Sequence, residues 1–349
     1  MCYKLTSHTT YVKIFYSRKY ITNYQLLRID TMNYAIGVDL GGTNLKAGIV
    51  DIDGKVHQRL SVKTDYHADS QTISDQIFRL IDTLISMAHL AKSDISGIGL
   101  GSPGHIDKRG ETILYSPNLP QWRNVPIKNM ITKRFVVPCI LENDANAAAW
   151  GENWAGAGKG TSSMVMMTIG TGIGGGIITE NRLWRGANNV AGEIGHMIIQ
   201  ASGRKCKCGN HGCIEAYASA TAMVLRFKEA LESGTQSSLK NCDEITAKMI
   251  NDAAFQGDKA SLDIIKETGQ YIGIALLNIM HILNPETIVL AGGMTGSGEL
   301  LMAPIREITK QGTFEEPYKD TKIVFSELGN DAGIIGAAGC LLKELETSV

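Results

Sequence analysis

Short apolar runs of strand length alternate along the chain with longer stretches whose apolar positions recur at helical spacing. Ala35-Ile-Gly-Val38, Ala47–Val50 and Val56–Ser61 are the first three runs, the last two separated by the turn Asp53-Gly54. Across 70–90 the apolar positions Ile73, Ile77, Leu80, Ile81, Leu84, Ile85 and Ala88 fall on one helical face, with Ser70 as the expected N-cap. Further strands are expected at Gly97–Gly101, Cys139–Glu142, Met164–Ile169, Thr287–Leu290 and Lys322–Phe325. Helices are expected from Ala145 to Trp150, over most of 216–256 and across 259–283, where Leu262, Ile265, Ile272, Leu276, Ile279 and Leu283 form a core-facing stripe. Asn284-Pro285 ends that helix, and a last one starts near Asp331 with small residues suited to close packing: Ala332, Gly333, Gly336, Ala337, Ala338 and Gly339. The alternation predicts an α/β fold, and 349 residues leave room for about two domains.

Glycine, at 38 residues against 8 prolines, clusters in three loops, which points to close backbone approach to ligands. The first loop, Asp39-Leu-Gly41-Gly42-Thr43-Asn44, joins two strands and offers backbone N–H groups and the Thr43 hydroxyl to phosphate oxygens. Asp39, at a strand end, could reach Mg²⁺ through water. The second runs Gly170-Thr171-Gly172-Ile-Gly174-Gly175-Gly176. Its Gly170, Gly172 and Gly175 match the dinucleotide fingerprint, but Ile177-Ile178-Thr179 reads as a returning strand where that motif needs a helix. Gly158-Lys159-Gly160 is not a Walker A motif either. Two strand–glycine–strand hairpins suggest two related domains facing each other across a cleft. The third loop is Ala291-Gly292-Gly293-Met294.

Glu142-Asn143-Asp144 closes a strand at the end where α/β sheets bind ligands. Asp144 is either an N-cap for the next helix or a catalytic carboxylate, and the surrounding loops favour catalysis. In the irregular segment Ser116-Pro-Asn118-Leu-Pro120-Gln-Trp122, Asn118 could hydrogen-bond a ligand hydroxyl while Trp122 anchors the loop.

Between Glu193 and Glu215 lies Cys206-Lys-Cys208-Gly-Asn-His211-Gly-Cys213, preceded by His196. Thiolates with imidazole, on a glycine-rich loop, are the donors of a closed tetrahedral zinc site. A Cys-x-x-Cys redox pair is absent. Spacing leaves the fourth donor open between His196 and His211. The flanking Glu193 and Glu215 stay free to accept hydrogen bonds from a polyhydroxylated ligand, so the metal loop would clamp its binding side chains.

With 34 basic and 35 acidic residues, no charge excess calls for a nucleic-acid or membrane partner. No apolar run reaches the roughly 18 residues of a transmembrane helix. Cys2, Cys139, Cys242 and Cys340 are scattered as in a reducing cytosol. Residues 1–32 form a basic extension expected to be disordered, with Met32 a plausible start.

Asp39-Leu-Gly-Gly-Thr-Asn, Glu142-Asn-Asp-Ala-Asn-Ala, Ile169-Gly-Thr-Gly-Ile-Gly-Gly-Gly, Gly192-Glu-Ile-Gly-His and Cys206-x-Cys-Gly-x-x-Gly-Cys-Ile-Glu together resemble the ROK family of sugar kinases and related repressors. The likeness runs from about residue 33 to the C-terminus. It implies a two-domain actin/hexokinase-like fold with ribonuclease-H-like cores. Residues 33–141 with 332–349 would form the smaller domain, and 142–331 the larger. It also implies His196, Cys206, Cys208 and Cys213 around a structural Zn²⁺. Asn118, Asn143, Asp144, Glu193, His196 and Glu215 would line a hexose. Asp39, Gly41, Gly42, Thr43, Thr171 and Gly172 would hold the phosphates of ATP with Mg²⁺, and Gly292 and Gly293 would lie beside the adenosine. The expected activity is phosphorylation of a hexose, glucose at O6 first, by a cytoplasmic homo-oligomer (dimer or tetramer), with Asp144 taking the hydroxyl proton. N-acylmannosamine, N-acetylglucosamine, fructose and allose are the alternative sugars. Repressors of the family carry a helix-turn-helix domain of roughly 70 residues. About 33 residues precede the first strand here, which with Asp144 favours an enzyme.

Overall fold

The computed structural model describes residues 34–116 and 119–347, so the N-terminal extension and Asn118 lie outside the described residues. The apolar runs become two sheets of matching design. In the first, β1 (Tyr34–Leu40), β2 (Asn44–Asp51) and β3 (Val56–Lys63) form an antiparallel meander, and β4 (Ile95–Ser102) and β8 (Cys139–Asn143) extend it in parallel, giving the order β3-β2-β1-β4-β8. Between β4 and β8 the chain makes a small sheet of β5 (His105–Ile106), β6 (Ile113–Tyr115) and β7 (Arg123–Val125), then α2 (Ile127–Phe135). In the second large sheet, β9 (Met164–Ile169), β10 (Ile173–Thr179) and β11 (Arg182–Leu183) form the antiparallel part. There β12 (Thr287–Ala291) and β13 (Lys322–Phe325) add in parallel, in the order β11-β10-β9-β12-β13. The repeated plan bears out the reading of two related halves, each opening on a glycine hairpin.

Helices cover the sheets as the apolar periodicity requires. α1 (Ser70–Met87) buries Ile73, Ile77, Leu80, Ile81 and Leu84 on the first sheet. Its N-cap is Asp69 rather than Ser70: the Asp69 carboxylate accepts from the Thr72 N–H at 2.7 Å, and Ser70 is already helical. On the second sheet α5 (Ala220–Glu232), α6 (Ala247–Phe255) and the 25-residue α7 (Lys259–Leu283) share one core. α7 ends on Asn284 in the left-handed region, φ 44°, as Asn and Gly favour. α8 (Glu299–Gly312) packs along α7, and α9 (Glu315–Asp320) follows it.

Two helices join the halves. α3 (Asp144–Ala155) leaves the end of β8, and α10 (Ala332–Thr347) runs against α3 and across β1 and β4. A core cluster containing Ala35, Ile140, Trp150, Met164, Met166, Val289 and Ile334 draws on both sheets. The small residues of α10 let backbone touch backbone. A Cβ at Gly37 or Gly99 would sit 1.9 or 1.8 Å from the Ile334 or Ala337 carbonyl oxygen, and one at Gly336 would sit 1.6 Å from that of Ala147. No side-chain rotation relieves a clash with a carbonyl in a packed core. We expect Gly336→Ala to destabilise the fold by about 3 kcal/mol, the upper end for overpacking. Denaturant unfolding measures this, and a wild-type midpoint would contradict the contact.

Candidate active site

The cleft is built from strand ends and glycine turns. The first hairpin closes with Gly41 N–H donating to the Asn44 carbonyl at 2.9 Å, and Thr64, just past β3, braces it, its hydroxyl donating to Gly41 O at 2.7 Å. Thr43 and Asn44 are exposed at the tip. Asp39 ends β1 directly opposite Lys46 of β2, whose Nζ lies 3.4 Å from the carboxylate. On its other side Asp39 meets Gly333 in the first turn of α10, where a Cβ would come 2.7 Å from the carboxyl carbon. Burial holds the Asp39 carboxyl above its usual range, and the Lys46 charge offsets part of this.

Asp144 is the first residue of α3. The cap is Asn143, whose side-chain oxygen accepts from the N–H groups of Ala145 at 3.0 Å and Asn146 at 3.2 Å. Asp144 is therefore relieved of capping, its Oδ1 taking only a local bond from Ala145 N–H at 2.9 Å. Burial pushes its carboxyl up to about 6, with the Asp39 charge and, more weakly, that of Glu193 acting in the same direction. Those three carboxylates thus share one electrostatic neighbourhood. Glu142, one residue before the cap, is buried and fixes the strand end. It accepts from Asn143 N–H and Asn146 Nδ2, each at 3.0 Å, and from Arg185 Nε at 2.6 Å.

The second hairpin is tied to the cysteine loop through Glu215. Its Oε2 accepts from Ile173 N–H at 2.9 Å, and a Cβ at Gly172 would lie 2.5 Å from that oxygen. The first turn of α5 holds the same hairpin: Ala220 N–H donates to Gly170 O at 2.8 Å, and the Thr221 hydroxyl to Thr171 O at 2.8 Å. Gly292, with φ at +94°, carries the chain past the end of β9, and Gly293 beside it faces open space.

Three cysteines and a histidine converge beside Glu215. His196 Nδ1 lies 3.7 Å from Cys206 Sγ, Cys208 Sγ lies 3.7 Å from Cys213 Sγ, and all four donor atoms lie within 4.8 Å of one another. A tetrahedral site with thiolates about 2.3 Å from the ion has edges of about 3.8 Å, so this set can hold a metal. The histidine that converges with the cysteines is His196; His211 is not in this set and turns its Nδ1 to the Gly203 carbonyl at 3.1 Å. α4 (Glu215–Ala218) follows the loop and contributes Tyr217, whose hydroxyl accepts from Arg204 N–H at 2.6 Å. Buried Arg226 then fixes Tyr217, donating to its carbonyl at 3.0 Å and pairing with Glu267. A cavity of about 310 Å³ between the metal loop and α5 is lined by Thr171, Glu215 and Thr221, with Arg204, Lys205 and Lys207.

The residues expected to act together thus fall into two groups: Asp39, Asn143 and Asp144, with the Glu193 charge felt at Asp144, and Thr171, Gly172, Glu215, His196 and the cysteines. Trp122 is fully buried, as an anchor should be. Lys46 and Arg185 had not been anticipated. Lys46 was within reach, since counting outward from the Gly41–Thr43 turn pairs position 39 with 46. Arg185 carried no sequence signal.

A model of the ROK family matches residues 35–344. The chain belongs to the ROK family. A glucokinase from Halalkalibacterium halodurans is 36% identical over 319 residues, 90% of this chain and 96% of its own length. A xylose repressor from Caldicellulosiruptor bescii is 33% identical over 89% of this chain and 78% of its own. Among solved structures, a ROK family glucokinase from Streptomyces griseus in complex with glucose and AMPPNP superposes with a TM-score of 0.76 at 34% identity, covering 89% of this chain and 99% of that one. The fold is accordingly the two-domain actin/hexokinase-like arrangement of ROK proteins. Among the described residues no helix is long and apolar enough to cross a membrane.

Proposed function

We propose that this ROK protein is an ATP-dependent glucose kinase that transfers the γ-phosphate of ATP to O6 of glucose. The observation that carries this reading is the Asp144 carboxylate, free of capping and raised to about 6, beside Asp39 of the first hairpin and on a helix whose next residue, Ala145, abuts Gly174 of the second. The glucokinase similarities over most of the chain support it.

Phosphoryl transfer needs positioning and charge neutralisation more than covalent chemistry. In this reading Asn143, Glu193, His196 and Glu215 orient the sugar, and Asn118, outside the described residues, is a further sugar-binding candidate. Gly41, Gly42, Thr43, Thr171 and Gly172 present N–H and hydroxyl groups to the triphosphate, and Gly292 and Gly293 flank the adenosine. Mg²⁺ carried with the nucleotide would neutralise phosphate charge, with Asp39 the residue to reach it through water. Asp144 accepts the hydroxyl proton. Its basicity is far below that of an alkoxide, so the proton moves late, as the new P–O bond forms.

His196, Cys206, Cys208 and Cys213 would hold a structural Zn²⁺, which locks the loop that carries Glu215 against the second hairpin. The domains of this reading are 33–141 with 332–349 and 142–331, supported by the packing of α10 on β1 and β4. Among the described residues no two cysteines form a disulfide, which is compatible with the cytosolic location of this reading. A dimer or tetramer is part of the same reading, and exposed Ile282 and Phe314 offer apolar surface for it.

The similarity to a xylose repressor keeps sugar sensing without catalysis as the second reading. Coupled ADP-release and DNA-binding assays on the same preparation separate the two.

Asp144→Asn should lower kcat for glucose phosphorylation by at least about 100-fold, the scale of a lost general base, while calorimetry still detects glucose binding. Near-normal turnover would reject the role. The base works only when ionised, so a carboxyl raised to about 6 predicts full kcat/KM above that pH and loss as pH falls through it. An acid limb near 4 would contradict the raised value. For the metal, elemental analysis should find about one zinc per chain, and Cys208→Ser should lower both zinc content and Tm. Zinc-free wild-type protein would refute the clamp.

A further inference from the structure

Arg185 has no role in the reading above, yet it crosses from one half of the molecule to the other. It stands just past β11, at the edge of the second sheet, and its Nε donates at 2.6 Å to Glu142 on β8, the edge strand of the first. Glu142 is only 4% exposed, so its charge depends on this cation in place of water. The same carboxylate holds the turn that carries Asp144. Its Oε1 accepts from Asn143 N–H and Asn146 Nδ2, and Asn143 caps the helix that Asp144 begins. In the other direction Arg185 opens the loop that leads to Glu193. Its carbonyl accepts from Ala191 N–H at 3.2 Å, which closes the loop on itself. Gly192 then passes so near β10 that a Cβ would lie 3.0 Å from the Gly175 carbonyl oxygen, and Glu193 follows at once. Midway, Asn189 takes the left-handed region at φ 62° and donates from Nδ2 at 2.8 Å to the Asp107 carbonyl, in the turn between β5 and β6. Residues 185–191 are thus a strap that starts on the second sheet and meets the first half at two points. The Arg185 anchor is charge-assisted and buried on its acid side, which makes it the stronger of the two.

Resting on the kinase reading, we propose that Arg185 is a positioning residue that sets Asp144 and Glu193 in register with each other, by tying the turn before α3 to the loop before Glu193. It touches neither sugar nor nucleotide and keeps its own protons throughout. In that reading the proton acceptor and a sugar-orienting carboxylate sit on separate segments, and a misplacement of about 1 Å between such groups costs about 100-fold in rate. An ion pair that only held the two halves together would change stability and leave the turnover of folded protein untouched.

The test uses the full chain with Arg185→Met, Arg185→Lys, and Arg185→Met combined with Glu142→Gln. Arg185→Met strands a buried carboxylate and should lower Tm together with kcat, the latter by about 100-fold. The double variant leaves no buried charge without a partner, and Gln keeps an acceptor for Asn143 and Asn146, so most of the Tm should return. Turnover should not return with it: kcat stays about 100-fold down while calorimetry finds ADP affinity unchanged. Arg185→Lys keeps the charge without the planar fork and should recover part of the loss. Hydrogen exchange on the unliganded protein reads the tie without any reaction, and amides of 143–146 and 190–196 should exchange faster together in the double variant. A double variant that regains wild-type turnover along with its Tm, or exchange that quickens in one segment alone or in neither, would overturn the proposal. If wild-type protein fails to phosphorylate glucose, the kinase reading falls on that result alone, and the exchange measurement still decides whether Arg185 ties the two segments.

Discussion

Backbone contact between α10 and the glycines of β1, β4 and α3's side of the cleft is the constraint on which the molecule depends. Because Gly37, Gly99 and Gly336 carry no Cβ, α10 lies flush on the first sheet and on α3 together. That single helix then sets both cleft carboxylates. Its first turn presses Gly333 against Asp39, and its body packs against α3, whose first residue is Asp144. The positions of the two acids are therefore a consequence of small residues some distance along the chain, and interiors packed at crystal density transmit such placement with little slack.

Placement has an electrostatic cost that the site turns to use. Burial and the neighbouring Asp39 charge both disfavour an ionised Asp144, which brings a carboxyl from its ordinary range toward neutrality. In the proposed role of base, a carboxyl poised there is better matched to its task than one at the usual carboxylate value. Across the cleft the problem is rigidity instead. The second hairpin is rich in glycine, and Glu215 restrains it by accepting from Ile173 N–H while α5 holds Gly170 and Thr171. Glu215 in turn follows Cys213, and the loop behind it is fixed by Tyr217 and buried Arg226. A loop braced by these contacts thus stiffens a glycine turn that could not stiffen itself.

Much of this was legible in the chain. Residues 259–283 and 322–325 appear as elements with the very ends that period and punctuation indicate, because α7 has one long apolar stripe and a closing Asn284-Pro285. The hairpins were readable from glycine placement between apolar runs, and the metal loop from cysteine spacing. Caps were harder: Asp69 rather than Ser70 and Asn143 rather than Asp144 accept the first-turn N–H groups, and neighbouring residues of similar chemistry differ only in backbone angles. β10 starts at Ile173, earlier than the apolar Ile177-Ile178 run suggested, since Gly174 to Gly176 pair with β9 despite having no side chains. Spacing alone left His196 and His211 open and the family likeness pointed to His196, which the fold brings to the cysteines, whereas finding Arg185 needed the buried Glu142 beside it. Both are contacts between distant or folded-back segments that local pattern does not encode.

The central claim is geometric: glycine packing delivers Asp144 to the hydroxyl of a sugar on one side of a phosphoryl group. A crystal structure of the protein with glucose and a non-hydrolysable ATP analogue tests it most directly. The account predicts the glucose O6 within about 3 Å of an Asp144 carboxylate oxygen and facing the γ-phosphorus. Asp144 turned away from the sugar, with another group at that hydroxyl, would contradict it.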